Sequence, residues 1–318
     1  MKAREAKARA KFEAMLDSPG QLSARQLIIL QHMSVCAPGP IPLDFLKQFY
    51  KIRDIKEHLN HLRASGWCVK TLWPLTKSYT LHPTARQLIR QRYNTPFASK
   101  FLLRVNTAFR RSKIPTHRKN TFMPQLEEAV ALAQQLQSRH LQFWVPYLHD
   151  FCMANRHHDF YLRLCDAAAL AFPSHKPTLA AAYGRKAQVL YHRGQLEEAL
   201  DLSQQAAQFD KETQNPTGEA ASLAIQALIL MRMKKLDQAQ ALLEQAIDRY
   251  TVIRDGEGVA TVLWHLGILH GKKGDFPQKK SLWKQAITIR KNFRLPHRRH
   301  QLTYASIHLN PFKTQKGK

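Results

Sequence analysis

The stretch that decides the fold is repeated three times: YGRKAQVLYHRGQLEEALDLSQQAAQF at 183–209, LAIQALILMRMKKLDQAQALLEQAIDRY at 223–250 and LWHLGILHGKKGDFPQKKSLWKQAITI at 263–289. The three units are in register at a step of 40 residues. Small residues recur where two helices must approach closely, and large apolar residues recur where a neighbouring unit must cover them. Each unit therefore predicts a pair of amphipathic helices, and the three pairs predict a solenoid formed by stacking.

The spacing of small residues resembles that of the tetratricopeptide repeat. In that family a small residue lies midway along the first helix, a glycine follows in the turn, and alanines mark two turns of the second helix. The matching residues are Ala187, Ala227 and Gly267; Gly194 and Gly274; Ala199 and Ala239; and Ala206, Ala246 and Ala286. The resemblance implies a right-handed solenoid that binds a protein or peptide. The alternative is an ordinary helical bundle with accidental alanine spacing.

Two residues depart from the pattern of that family. Lys234 stands where the middle unit should have its turn glycine, and Lys279 replaces the first marker alanine of the last unit. The step of 40 residues is also longer than the common one of about 34. We therefore expect long loops between units, and a last unit that is frayed or acts as a cap.

Length and composition exclude several classes of protein. The 318 residues suffice for two or three domains, and a hydrophobic content of 44% indicates that they fold. The sequence has no apolar run of the roughly 20 residues that span a bilayer, and no apolar signal-peptide region, which predicts a cytoplasmic protein without membrane contact. The cysteines form no CxxC pair and are predicted to be buried free thiols: Cys36, Cys68, Cys152 and Cys165.

No residue pattern indicates catalysis or a cofactor. The motifs of serine hydrolases, zinc peptidases and phosphate-binding loops do not occur in the sequence. His149, His157, His158 and Asp159 form the one cluster that could suggest a metal, but their spacing does not place ligands on one helix face. We therefore predict a protein that is not an enzyme and that binds neither a metal nor a cofactor.

The net charge of +26 is unevenly distributed. Residues 21–94 carry 11 basic and 3 acidic side chains, residues 95–125 carry 7 and none, and residues 279–318 carry 11 and none. Residues 126–278 are close to neutral, with 15 basic and 17 acidic side chains. This layout favours a protein that meets a polyanion with its ends and another partner with its middle.

The residues before the repeats predict two further elements. Residues 2–16 have helix-forming composition and are expected to form a surface helix or arm. A compact unit over 21–94 then predicts helices at 23–34, 42–49 (opened by Pro42) and 53–65, strands at 67–72 and 78–81, and a helix from Pro83. Three helices followed by a two-stranded ribbon are the element order of a winged helix.

Two segments within 21–94, LNHLRASGWCV and SYTLHPTARQLIRQRY, sharpen this interpretation. They resemble the winged helix that joins the nucleotide-binding domain to the repeats in STAND signal-transduction ATPases. The resemblance covers roughly residues 21–290 and implies a sensor arm. The chain nevertheless lacks the GxxxxGK[ST] phosphate-binding loop, so the resemblance does not extend to ATP binding.

The third helix of the predicted winged helix has a buried and an exposed face. Ile52, Ile55, Leu59 and Leu62 recur at the spacing of a buried stripe. The outward side chains of this helix and two ribbon lysines are candidates for contact with bases and phosphates: Arg53, Lys56, Asn60, Arg63, Lys70 and Lys77. The alternative is a spacer domain with solvated charges, which is the usual role of this domain in the STAND family.

The acid-free residues 95–125 predict either a phosphate-contacting strap or a plain basic linker. The candidate contacts in this segment are Arg110, Arg111, Lys113, Arg118 and Lys119. The chain is then predicted to be mainly α-helical, with an arm (1–20), a winged helix (21–94), this linker (95–125), helical repeats (126–290) and a basic tail (291–318).

The family resemblance also implies a binding face on the first helix of each repeat. Its register gives an inner surface at Gly184, Ala224, Trp264, Gln188, Leu228, Ile268, Tyr191, Met231 and Gly271, with a rim at His192, Arg232 and Lys272. An apolar floor with a basic rim suits an acidic peptide with hydrophobic anchors. Alternatively, Leu228 and Ile268 only pack against neighbouring helices. The predicted function is a regulatory adaptor that binds a protein and contacts nucleic acid; a pure protein scaffold is the alternative.

Overall fold

A computed structural model of the chain describes residues 2–50, 54–72, 76–93, 97–110 and 116–292. The chain is mainly helical and divides into two compact units, 1–160 and 161–318. Within these described ranges, no helix has both the length and the apolar character that crossing a membrane requires.

Helices and one small sheet make up the N-terminal unit. Its elements are α1 (Lys2–Asp17), α2 (Ala24–Val35), β1 (Ile41–Pro42), α3 (Leu43–Tyr50), α4 (Ile55–Ala64), β2 (Cys68–Leu72), β3 (Lys77–Leu81), α5 (Pro83–Arg92), α6 (Phe97–Arg110), α7 (Thr116–Thr121), α8 (Met123–Gln135) and α9 (His140–Ala154). The next helix, α10 (His158–Ala171), lies across the boundary between the two units. The helices and both ribbon strands expected in 21–94 are confirmed to within about three residues, where boundaries are least predictable.

The sheet contains one strand that the sequence did not predict. Its antiparallel order is β1–β3–β2, with Ile41 paired to Tyr79 and Cys68 paired to Leu81. The expectation that Pro42 opens a helix is wrong, because Pro42 lies in β1 opposite Ser78 and α3 begins one residue later. Proline is tolerated there because β1 is an edge strand, where a missing N–H need not leave a ladder bond unmade.

Helix α1 is not a loose arm. Phe12 is buried, and its ring lies 4.5 Å from that of Trp67 and 5.2 Å from that of His82. Arg92 of α5 donates a hydrogen bond to the carboxylate of Asp17 at the end of α1. A buried aromatic contact and an ion pair thus attach α1 to the unit that it precedes.

Residues 97–110 form helix α6, so the linker expected over 95–125 is wrong for this part of the chain. Its buried side chains recur at helical spacing: Ala98, Phe101, Leu102, Val105, Ala108 and Phe109. The helix packs against α8 and α9. The basic character had suggested a linker because Lys100 and Arg110 occupy the exposed side of the same helix.

An arginine network joins α2, α5 and α8. Arg86 donates to the carbonyl oxygen of Cys36, and Arg90 donates to that of Ser34 at 2.6 Å. Both guanidinium groups also contact the carboxylate of Glu128, at 3.2 and 2.7 Å. Burial lowers the pKa of Arg86, while Glu128 opposes that shift. The carbonyls at the end of α2 thereby find charged donors, which a helix terminus needs.

The prediction of buried free thiols is confirmed for all four cysteines. Burial raises the pKa of Cys68 and of Cys152 to about 12. These thiols stay protonated at neutral pH, so they lack the thiolate that reacts with disulfides or metals.

In the C-terminal unit, three helix pairs confirm the predicted repeats, but the expectation of long loops between units is wrong, because only residues 213–215 and 253–255 separate successive pairs. They are α11 (Lys176–Arg193) with α12 (Leu196–Glu212), α13 (Pro216–Arg232) with α14 (Leu236–Val252), and α15 (Gly256–Lys272) with α16 (Phe276–Asn292). Ala206, Ala246 and Ala286 are buried where the paired helices approach each other. The last unit is not frayed, since α16 has the same 17 residues as α12 and α14.

The turn inside each helix pair requires a left-handed residue. Gly194 and Gly274 have φ of 82° and 85°, and Lys234 takes the same place in the middle pair with φ of 64°. A residue with a β-carbon is disfavoured in this region by about 1–2 kcal/mol, whereas glycine is not. The middle turn is therefore the strained one.

We expect Lys234→Gly to raise the free energy of unfolding by about 0.5–1 kcal/mol, because it removes this strain at some cost in chain entropy. The reverse change at the matching turn, Gly194→Lys, should lower it by a similar amount. Urea unfolding followed by circular dichroism measures both. Equal midpoints for the three proteins would show that the backbone at this turn carries no strain.

Candidate functional site

The exposed face of α4 is the first candidate surface. Ile55, Leu59 and Leu62 are at most 3% exposed, so the predicted buried stripe is confirmed for the described residues. The helix ends at Ala64, and Gly66 follows with φ of 85°, the left-handed conformation in which a glycine commonly ends a helix. Lys56, Asn60 and Arg63 consequently point to solvent. Ile52 and Arg53 lie outside the described residues.

Three lysines from three elements line one open groove beside α4. Lys47 of α3, Lys56 of α4 and Lys77 of β3 surround it, together with Asp44. Lys47 was not among the residues predicted from the sequence. The sequence offered a signal, because Lys47 directly follows the apolar pair Phe45 and Leu46. In the structure that pair is fully buried and Lys47 is exposed. Only the fold, however, places α3 beside the ribbon.

Carboxylates accompany these lysines. A second groove along α4 is lined by Lys47 and Lys56, and also by Asp54, Glu57 and Asn60. The surface is therefore not uniformly positive, and an incoming polyanion would meet acidic groups beside the lysines.

The remaining predicted residues of this domain do not line the same groove. Lys70 is exposed on β2, opposite Tyr79 in the ladder. Arg63 lies near Cys68 and Tyr79, where its positive charge opposes the rise that burial causes in the pKa of both groups.

The predicted basic strap is only partly visible. Arg110 is exposed at the end of α6, with its guanidinium carbon 6.0 Å from the ring centre of Tyr147. Lys119 was predicted to contact phosphate, but its ammonium donates to the carbonyl oxygen of Phe109 at 2.9 Å. This bond gives Lys119 a structural role at the end of α6, and burial lowers the pKa of its ammonium. Arg111, Lys113 and the side chain of Arg118 lie outside the described residues.

The inner surface of the repeats differs from the predicted one. Trp264 was expected to offer anchoring area, but it is 7% exposed and stacks on Trp283 with ring centres 4.4 Å apart. The indole nitrogen of Trp283 donates to the carbonyl oxygen of Trp264 at 3.1 Å. Met231 is likewise buried in the core of the unit. Both assignments were wrong because a register cannot show which side chains the partner helix covers.

Other members of the predicted inner surface remain accessible. Gln188, Tyr191, Leu228 and Ile268 are half-buried, with Leu228 and Ile268 packed against the core, whereas His192, Arg232 and Lys272 are exposed. The guanidinium of Arg232 lies 4.8 Å from the ring centre of Tyr191 and donates to the backbone oxygen of Tyr191. This contact joins the first and second repeats at the predicted rim.

The predicted histidine cluster is dispersed. Nδ1 of His149 lies 3.1 Å from a carboxylate oxygen of Asp150, and Nε2 of His157 lies 3.1 Å from Oδ1 of Asn120. In the part of the chain that the structure describes, no three His, Cys, Asp or Glu side chains are grouped to hold a metal ion.

Comparisons with known proteins identify the repeats. Tetratricopeptide repeat family models match residues 179–210 and 218–292. Residues 179–210 and 218–292 therefore form helical repeats of the tetratricopeptide type. No curated protein matches the sequence at a significant level.

Several solved structures are similar to this chain. A STAND protein with a tetratricopeptide repeat sensor from Pyrococcus horikoshii is 14% identical with a TM-score of 0.44, over 93% of this chain and 55% of that chain. The chain thus spans about half the length of that protein. BtubC from P. vanneervenii is 12% identical with a TM-score of 0.43, over 87% and 94% of the two chains. Yeast Tom70 is 17% identical with a TM-score of 0.42, over 98% and 60%.

We expect Gly267→Ala to destabilise the third repeat by about 1–3 kcal/mol through overpacking. A β-carbon at Gly267 would come within 2.5 Å of Cδ1 of Trp283, whose ring is held by its stacking on Trp264. In the second repeat the equivalent pair is Ala227 and Leu243. In a Trp283→Leu background the alanine should therefore cost little, and a double-mutant cycle by urea unfolding measures this coupling. Additive effects would show that Gly267 is not there to accommodate Trp283.

Proposed function

We propose that this protein is a regulatory adaptor whose right-handed repeat solenoid binds a protein partner and whose N-terminal unit contacts nucleic acid. The observation that carries the nucleic-acid part is the groove in which Lys47, Lys56 and Lys77 meet. Lysines held on separate elements can contact successive phosphates and displace their counterions.

The order of elements in residues 21–94 supports a winged helix. Helices α2, α3 and α4 are followed by the ribbon of β2 and β3, with β1 as a third strand. In such a domain α4 would be the recognition helix and the ribbon would be the wing. Lys56, Asn60 and Arg63 lie on the exposed face of α4, and Lys70 and Lys77 lie on the ribbon.

Each predicted contact has a distinct chemistry. Lysines and arginines would bind phosphates, and Asn60 could read a base edge, since an amide donates and accepts side by side. Arg53, Arg110, Arg111, Lys113 and Arg118 stay predicted phosphate contacts. Because ion release dominates such binding, the affinity should fall steeply with salt.

The accessible part of the inner repeat surface would receive the protein partner. Leu228 and Ile268 present half-buried apolar area, and the exposed rim residues Arg232 and Lys272 are positive. Positive charges at a rim increase the association rate of an acidic partner more than they increase its affinity. His192, Gln188 and Tyr191 would complete this surface.

A pure protein scaffold is the second candidate function. The grooves beside α4 contain Asp44, Asp54 and Glu57 as well as lysines. Mixed charges on one surface suit ion pairs with another protein, whereas carboxylates repel phosphates.

We expect the triple variant Lys47→Ala/Lys56→Ala/Lys77→Ala to weaken binding to duplex DNA or RNA on all sequences alike. Three lost phosphate contacts should reduce the slope of log K against log salt by about 2.7. A gel-shift titration over a salt series measures both quantities. The matched control is Lys211→Ala/Lys234→Ala/Lys235→Ala, which removes three exposed lysines of the solenoid.

Two results of this titration would contradict the proposal. If the wild-type protein bound neither duplex at low salt, the scaffold function would stand instead. If the solenoid control weakened binding as much as the α4 variant, the contact would be nonspecific attraction by net charge.

For the partner, we expect Arg232→Glu/Lys272→Glu to reduce affinity by about tenfold or more, since charge reversal at a rim repels an acidic ligand. The partner is first identified by cross-linking and mass spectrometry, and its binding to purified variants is then measured by calorimetry. The DNA affinity of this variant serves as the control and should be unchanged. Normal partner affinity would move the binding site away from the inner surface.

A further inference from the structure

The outer helices of the three repeats differ sharply in charge. Helix α12 contains five acidic residues and one basic residue, and α14 contains three and one. Helix α16 contains five basic residues and no acidic residue. Because the repeats are otherwise in register, this reversal is a property of the last helix alone and not of the repeat.

In the first two repeats, one face of the outer helix is covered by the next repeat. Leu196 and Leu200 of α12 and Leu236 of α14 pack into apolar clusters that include residues of α13 and α15. Gln240 of α14 accepts a hydrogen bond from Lys273, at the end of α15, at 2.8 Å. This face is therefore shaped to receive a helix lying along it.

The matching face of α16 is accessible. Phe276, at the place of Leu196 and Leu236, is 64% exposed. Lys280, at the place of Leu200 and Gln240, is exposed, and so are Lys284 and Lys291, whose places in the first two repeats lie at the exposed margin of this face. In the described part of the chain, no helix follows α16 to cover them. We call these four residues the α16 face.

Charge discriminates between the helices that could occupy this face. Residues 293–318 carry six basic side chains and no acidic one. Helix α11, which a second copy would offer if it stacked end to end, also lacks acidic residues. Either occupant would place like charges together at a distance where repulsion is appreciable. Only a helix that carries acidic residues complements the α16 face.

We propose that the α16 face binds an amphipathic helix of another protein, with acidic residues toward the lysines and an apolar residue against Phe276. The proposal rests on the proposed function that the repeats bind a protein, and it adds a second surface and the chemistry of its ligand. The ligand would lie along α16 over Phe276 and Lys280, with Lys284 at its margin. Glutamates one turn apart would face Lys280 and Lys284, which are also one turn apart.

The local contacts of α16 prepare this surface. The ammonium of Lys279 lies 4.5 Å from the ring centre of Trp283 and 5.9 Å from that of Phe276. Lys279 thus lies against its own helix, and its charge adds to the positive potential beside Phe276. The exposed ring of Phe276 thus offers apolar area beside positive charges that would steer an acidic ligand.

The test uses the full chain and a fluorescein-labelled helical peptide of 17 residues, the length of α13 and α15. The acidic peptide carries glutamate and leucine on one face. Two comparison peptides replace the glutamates with lysine or the leucines with alanine. Fluorescence anisotropy measures their affinity for wild-type protein, for Lys280→Glu/Lys284→Glu, for Phe276→Ala, and for the control Lys234→Glu/Lys235→Glu, which reverses two exposed lysines elsewhere.

We expect the acidic peptide to bind wild type and control alike and to lose about tenfold or more in affinity on Lys280→Glu/Lys284→Glu. The acidic peptide should bind Phe276→Ala more weakly than wild type, and the leucine-free peptide should bind wild type more weakly than the acidic peptide does. The basic peptide should bind only Lys280→Glu/Lys284→Glu. Misfolding cannot cause this gain of binding to the basic peptide. The test therefore stays valid even if the Lys280→Glu/Lys284→Glu change perturbs α16. Circular dichroism verifies folding.

Three outcomes would overturn the proposal. In the first, the acidic peptide binds wild type and Lys280→Glu/Lys284→Glu equally. In the second, the acidic peptide does not bind wild type. In the third, duplex DNA displaces the peptide from wild type, and Lys280→Glu/Lys284→Glu no longer binds that DNA. The last would make the α16 face a nucleic-acid surface. Failure of the proposed function is seen separately, in the variants of Lys47, Lys56, Lys77, Arg232 and Lys272, none of which belongs to the α16 face.

Discussion

The close approach of paired helices is the constraint on which the solenoid depends. Ala199, Ala239, Ala206 and Ala246 are fully buried, so no larger side chain separates the helix backbones at these points. Where the third repeat places Trp283 in this interface, the opposite helix has glycine at position 267 and no β-carbon. The large side chain of Trp283 is thus matched by the missing side chain at Gly267, which keeps the volume of the interface constant. Such matching is expected in a close-packed interior.

The N-terminal unit is held by another means, namely charged donors directed at a helix end. Arg86 and Arg90 bind carbonyl oxygens at the end of α2, and Glu128 of α8 brings the two guanidinium groups together. This network joins the α2–α5 region to α8, against which α6 packs, so both later helices belong to the body of the unit. Some basic residues in this region therefore stabilise the fold, as the hydrogen bond from Lys119 to the carbonyl oxygen of Phe109 illustrates.

Charge therefore needs to be interpreted residue by residue. The excess of positive charge indicated a polyanion partner, yet Arg86, Arg90 and Lys119 are used internally. Exposed lysines line the groove beside α4 and one side of α16, among other places. Carboxylates lie among the lysines of the groove, whereas helix α16 itself contains none. The two surfaces consequently suit different ligands.

By itself, the sequence determined the repeats, the bounds of α2, α3 and α4 to within a few residues, the buried stripe of α4 and the state of the cysteines. These properties depend on local periodicity and spacing, which a chain carries from residue to residue. The tertiary structure alone decided that α1 and α6 pack into the unit, that Trp264 and Met231 are core residues and that Lys47 joins Lys56 and Lys77. Each of these depends on contacts between segments far apart in the chain, and helical periodicity does not specify which neighbour covers a given face.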